Sequence, residues 1–342
     1  MTVDLRTRYL GLELSSPMVA SASPIGASMD GLLRLEESGV AAVVLPSLFE
    51  EQIEHEDVEV HRVLETGAES FPEALGYFPE LDDYNTGPSA YLSHLEEAKR
   101  SLSVPVIASL NGVSRGGWIR YARLIEDAGA DALELNVYLV AADPGTSAAE
   151  VERRYLDLVA DVRAQTALPL AVKVGPYFSA MGNMAVRLVE AGADGLVLFN
   201  RFLHPDIDLE HLRVVPSVHL SSPREAGLPL RWVALLRDRV RCSIAATSGV
   251  AGPEEVLKLL LVGADVTMMA SALLRNGPEY VTGVLRGLEA WLEEHEYDSV
   301  EQMRGSMRQE ASPNPGAFER SQYMRALTRY SSDHEIVPGP PR

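Results

Sequence analysis

One phrase recurs along this chain and limits what it can fold into. Residues 128–136 read AGADALELN, 191–200 read AGADGLVLFN and 262–271 read VGADVTMMAS, while 38–47 carry a worn copy, SGVAAVVLPS. Each copy ends a helix-like segment on a glycine (Gly39, Gly129, Gly192, Gly263), where a left-handed C-cap is expected, and then starts a short apolar run. A second phrase alternates with the first. Ser16-Pro17, Val104-Pro105 and Leu168-Pro169 lead into MVASAS, VIASLNG and LAVKVG, and Arg241-Cys242 leads into SIAATSG. Proline suits a strand's entry, where no ladder donor is lost. These runs are apolar throughout, as strands buried on both faces of a parallel sheet must be.

Between the runs lie eight amphipathic segments of helical length, from MDGLLRLEES (29–38) to GPEYVTGVLRGLEAWLEEH (277–295). Eight strands alternating with eight helices predict a (β/α)8 TIM barrel; an open doubly wound sheet uses the same local units, but the chain contains no GxGxxG. The expected division is a barrel over residues 1–296 and a C-terminal helical extension and tail over 297–342, with a helix at AFERSQYMRALTRY. Two long segments break the rhythm, 50–88 after the second strand and 201–228 after the sixth. Both leave strand C-termini, so both are candidate lids.

In a barrel the strand C-termini converge on one mouth. In order they supply Ser21, Ala22, Ser47, Ser109, Asn111, Asn136, Lys173, Asn200, Ser248, Gly249, Ala270 and Ser271. These ends are small or neutral polar with one lysine, which argues against the paired carboxylates of glycosidases. The turns TSGV (247–250) and ASAL (270–273) have the place and composition of a barrel phosphate site. Lys173 lies in an apolar strand, so its ammonium must meet an anion. Two readings are open: it donates to a cofactor that becomes anionic, or it forms a Schiff base with a carbonyl substrate, as in a lyase or aldolase. A non-catalytic barrel is the third possibility.

The net charge of −19 opposes binding to nucleic acid or an anionic membrane. One cysteine, Cys242, excludes an internal disulfide and is expected at the strand-entry face in a structural role. No HxH or HExxH occurs and the histidines read as solvated, so no metal site is expected. The N-terminus has no signal-like stretch, which points to a cytoplasmic protein.

Assembled, these residues resemble the dihydroorotate dehydrogenase family of FMN barrels over about residues 3–295, most specifically in VASAS, LELN, LAVKVGPYF, LFN, ATSGV and MASALLRNGPEYV. The resemblance implies an FMN-dependent oxidoreductase, a small-molecule substrate, a link to pyrimidine biosynthesis and a homodimer. It implies that Lys173 meets the flavin N1/O2 edge, that Asn136 lies near flavin and substrate, and that Asn200 reaches the substrate. Ser248, Gly249, Ala270 and Ser271 would then cradle the phosphate, with Ser21, Ala22, Ser47, Asn111 and Gly227 around the ring or ribityl chain. The chain also departs from that family. The family's base, in a Ser/Cys-Pro-Asn run, is replaced by Leu139 within NVYLVAADPG, and Leu45-Pro46 stand where soluble members carry a substrate-contacting lysine. Arg201 could restore a positive charge, and Tyr138 or Asp143 could serve as acid or base. With no iron–sulfur ligands, electrons would leave through FMN directly or through another redox protein.

Overall fold

A computed structural model describes residues 3–54, 87–201 and 203–319, with Tyr323 and Ala326 beyond them. The chain opens with an antiparallel hairpin, β1 (Thr7–Tyr9) and β2 (Leu12–Leu14). The barrel strands follow: β3 (Met18–Ala20), β4 (Ala42–Val44), β6 (Val106–Asn111), β7 (Ala132–Asn136), β8 (Leu170–Val174), β9 (Gly195–Leu198), β12 (Ser243–Ala246) and β13 (Val266–Met269). A two-residue strand, β5 (Leu48–Phe49), extends the β4 edge along β6. All pairings in the ring are parallel, and β4 bonds both β3 and β6, so the sheet closes. The expected (β/α)8 barrel is what forms.

Every run read as a strand occupies its place in the ring, because an all-apolar strand is stable only with both faces covered. Period-two alternation divides the core accordingly. Val44, Ile107, Ala132, Ala171, Val197 and Ala245 point inward as one cluster. Their neighbours Leu133, Leu135, Val172, Leu196 and Ile244 point outward against the helices. The hairpin closes the strand-entry end: Tyr9, Leu10 and Leu14 belong to the inner cluster. Its turn places Leu10 and Gly11 at φ 52° and 78°, the geometry of a tight primed turn.

The helices, α1 (Met29–Glu37), α2 (Pro88–Ser101), α3 (Tyr121–Asp127), α4 (Ala148–Gln165), α5 (Met181–Glu190), α6 (Gly227–Leu236) and α7 (Pro253–Leu261), surround the barrel. After β13 the helical stretch divides at Gly277, φ 84°, into a short α8 (Ser271–Asn276) and a long α9 (Tyr280–Glu294). None of the described helices is long and apolar enough to cross a membrane. The segment after the sixth barrel strand, a candidate lid, contains an antiparallel hairpin, β10 (His204–Asp208) with β11 (Arg213–Ser217). Of the segment after the second barrel strand, residues 55–86 lie outside the described residues, as does most of the expected C-terminal helix; Pro315–Phe318 at its start is a 3-10 turn.

The aspartates of the repeated phrase have a common task. Asp131 donates its backbone N–H to the Val106 carbonyl at 3.0 Å while its carboxylate accepts the Val106 N–H at 2.7 Å. Asp194 clasps Leu170 in the same reciprocal way, at 2.8 and 2.9 Å, and Asp265 clasps Ile244, both at 2.7 Å. A cation from the end of the helix that leads into the clamped strand binds each carboxylate: Lys99, Arg163 and Arg237 respectively. Asp265, buried, also receives Arg304 from beyond the last barrel helix. Each clamp ties the start of one strand to the start of its neighbour. Removing a carboxylate strands a backbone donor, so Asp131→Ala and Asp194→Ala should each cost about 1–3 kcal/mol. Asp265→Ala also abandons two arginines and should cost about 3–5 kcal/mol. Urea unfolding of the three variants checks the order; equal losses would show that the extra arginine adds nothing.

Candidate functional site

Strand register assembles the mouth. Asn111 pairs with Asn136, and Asn136 with Lys173, across three adjacent strands. Asn200, just past β9, donates from its side-chain amide to the Asn136 Oδ1 at 2.6 Å. The Ser47 and Ser109 hydroxyls meet at 2.8 Å, and Tyr91 beneath them accepts from the Ser109 N–H at 2.8 Å.

A cavity of about 260 Å³ opens at this end. Of the residues singled out from sequence it brings together Ser21, Ala22, Lys173, Asn200, Arg201, Ser248, Gly249, Ala270 and Ser271. Ser47, Asn111, Asn136 and Gly227 do not line it. Asn136 reaches it through Asn200, Ser47 is engaged with Ser109, and Gly227 begins α6 immediately after the 3-10 turn Pro223–Ala226. Arg201 is held rather than free: its Nε donates to the Glu225 carboxylate at 2.8 Å and its Nη1 to the His219 carbonyl.

The turn after β12 is the tightest part of the wall. Ser248 and Gly249 both take left-handed backbone angles, φ 73° and 76°. A side-chain carbon on Gly249 would lie 2.8 Å from the Glu225 carbonyl carbon and 2.9 Å from the Ser222 oxygen, and would collide with the Ala226 nitrogen. The turn is therefore pressed backbone to backbone against 222–226. Ser248 Oγ donates to the Phe199 carbonyl at 3.2 Å, and Ser271 Oγ accepts the Ser221 N–H at 3.0 Å. A left-handed turn facing a short extra helix, α8, forms a concave wall of backbone dipoles suited to one phosphate.

Lys173 is buried, and its Nζ lies 3.2 Å from Glu134 Oε1 on the adjacent strand. The sequence reading, which saw one charged group at the mouth, missed this carboxylate. Glu134 sits one inward step below Asn136, fully enclosed, and a charged residue between two leucines of a buried strand was the signal available. His219 was missed as well; read as solvated, it is exposed but lines the cavity, with Nδ1 3.1 Å from Ser217 Oγ.

The two candidate acid–base residues lie elsewhere. Asp143 is spent on its own turn, accepting from the Gly145 N–H at 2.8 Å and the Thr146 hydroxyl at 3.2 Å. Tyr138 accepts the Leu203 N–H at 3.1 Å and, with Leu139, Tyr155, Tyr177 and Phe178, lines a separate cavity of about 500 Å³. Tyr155 bonds the Leu139 backbone and packs edge-on against Phe178, which turns this segment toward the outer cavity. Cys242 lies at the strand-entry end, where burial and Asp265 push its thiol up to about 12.

Fold and site together define a closed parallel barrel with one buried ammonium at its mouth and small-residue turns ending its last two strands. The chain belongs to the dihydroorotate dehydrogenase family, whose model matches residues 5–292. It is 27% identical over 308 residues to the catalytic subunit of dihydroorotate dehydrogenase B (NAD(+)) of Methanothermobacter thermautotrophicus, covering 88% of this chain and 97% of the relative. The counterpart in Thermoplasma acidophilum is 23% identical over 314 residues, covering 88% and 98%. Subunit PreA of the NAD-dependent dihydropyrimidine dehydrogenase of Escherichia coli K12 is 25% identical over 328 residues, covering 89% and 77%.

The wall geometry makes its own prediction. Gly249→Ala forces an L-residue into a left-handed angle against backbone and should cost at least about 1–2 kcal/mol. Gly182→Ala, on an open face of α5, should be neutral or stabilise by about 0.4–1 kcal/mol. Thermal unfolding of the pair decides; a silent Gly249→Ala would mean the turn is not pressed as described.

Proposed function

We propose that this chain is an FMN-dependent oxidoreductase of the dihydroorotate dehydrogenase type, moving a hydride between a CH–CH bond of a small molecule and flavin N5. The observation that carries this is Lys173, a buried ammonium on a cavity that the Ser248–Gly249 and Ala270–Ser271 turns also line. The donor set suits the two ends of FMN: a phosphate against backbone and hydroxyl donors, and a polar ring edge against Lys173 and the Asn136–Asn200 pair. Ser21, Ala22, Ser47, Asn111 and Gly227 would complete the enclosure of ring and ribityl chain. FMN, when bound, supplies the two-electron hydride acceptor. Lys173 stabilises negative charge at the polar edge, and Asn136, Asn200 and Arg201 orient the substrate. The Glu134 carboxylate, 3.2 Å from the Lys173 Nζ, engages that nitrogen in an ion pair, which suits an anion-stabilising lysine better than a Schiff-base nucleophile.

On this reading dihydroorotate is turned over poorly. Leu139 stands in the family's base position and faces the outer cavity, and Leu45, fully buried, replaces a lysine. The relatives' names describe subunits of larger enzymes, which supports a second protein as the electron acceptor. A homodimer belongs to the same reading. The β10–β11 hairpin and its flanks, with Ile207, Leu209, Leu212 and Val214 exposed, offer the contact. Cytoplasmic location, with a single cysteine, completes it.

Purified protein should be yellow and release flavin absorbance on denaturation; colourless protein that FMN cannot reconstitute overturns the proposal. Dihydroorotate added anaerobically should reduce the bound flavin about 10²–10⁴-fold more slowly than in a member that retains the base, the usual worth of general base catalysis. Rapid bleaching in stopped flow would mean that a base does operate here.

A further inference from the structure

Two buried polar side-chain atoms inside the barrel have no hydrogen-bond partner among the described residues: Glu134 Oε2 and the Tyr9 hydroxyl. Both lie in the barrel interior, Tyr9 at the entry end and Glu134 on β7. Tyr9 rises from the entry-end hairpin into the inner cluster, and burial, with the Glu134 charge adding to it, pushes its hydroxyl well above the usual phenol value. Glu134 is joined to Lys173, which lines the cavity at the mouth. A buried carboxylate with one oxygen bonded only to the ammonium and the other bonded to nothing is expensive, and is retained only if its charge is useful.

We propose that Glu134 is a positioning residue that acts through Lys173 to hold down the reduction potential of the flavin at this mouth. The proposal rests on the flavoprotein reading above. While the ring is neutral, Lys173 and Glu134 cancel. Negative charge at the polar edge on reduction leaves one cation between two anions, and the carboxylate disfavours that state. Among the described residues no donor reaches Glu134 Oε2, so its charge is not spread over the backbone. Tyr9 and the hairpin wall off the entry end from water, which keeps the interaction in a weakly screened interior. Arg201, the other cation lining the cavity, is committed to Glu225 and cannot take the place of Lys173.

The test is the midpoint potential of the FMN-loaded full chain, measured by anaerobic reduction against a reference dye. Glu134→Gln should favour the reduced form at least tenfold, a rise of about 30 mV for a two-electron couple. If Glu134→Gln does not fold with Lys173 uncompensated, Glu134→Asp, which keeps the charge but withdraws it, should give a smaller rise in the same direction. A potential within twofold of wild type in the folded variant overturns the proposal while leaving the flavin reading standing. A chain that binds no FMN overturns both.

Discussion

An ammonium inside a ring of apolar strands is tolerable only with a carboxylate beside it, and much of the site follows from that requirement. Lys173 and Glu134 occupy inward positions on adjacent strands, β8 and β7, and their side chains meet at 3.2 Å. An isolated charge at this depth would shed its proton or unfold the barrel; a pair can stay ionised. The pair also fixes which chemistry the mouth supports. A cation balanced from below is suited to meeting negative charge from above, and the neutral Asn136–Asn200 contact beside it adds direction without adding charge.

The two ends of the barrel are built from different materials. At the entry end, Asp131, Asp194 and Asp265 each close a reciprocal two-bond clamp on the neighbouring strand and are backed by arginine or lysine. The hairpin seals the same end with Tyr9, Leu10 and Leu14. At the exit end the strands finish in small polar residues, and the backbone itself forms the wall at Ser248–Gly249. Rigidity at one end lets the other remain concave and polar without collapsing, since the clamps hold strand register from below.

Much of this was legible from residue pattern. The glycine phrase and the proline phrase marked all eight strands, and strand-end reading drew eight cavity-lining residues from segments far apart in sequence. What stayed hidden were contacts that depend on neighbours. Glu134 reads as an ordinary acidic residue until its strand is placed beside that of Lys173. Tyr138 and Asp143 looked available for proton transfer, yet one is bonded to Leu203 beside a second cavity and the other closes its own turn. The segment after the sixth strand shows no strong alternation, so its hairpin was not apparent.

Taken alone, the amino-acid order pointed to the class of fold, because apolar periodicity and helix-ending glycines mark a local strand–helix unit and its eightfold count favours a closed ring over an open sheet. It also determined which residues would sit at the strand ends, since topology sends every strand's C-terminus to one face. Tertiary structure alone decided the pairing of charges: why the repeated aspartates exist, which carboxylate answers Lys173, and which polar atoms are left without a partner. Those are distances between strands and loops remote in sequence, and only closure of the ring, which sets register and removes water, fixes them.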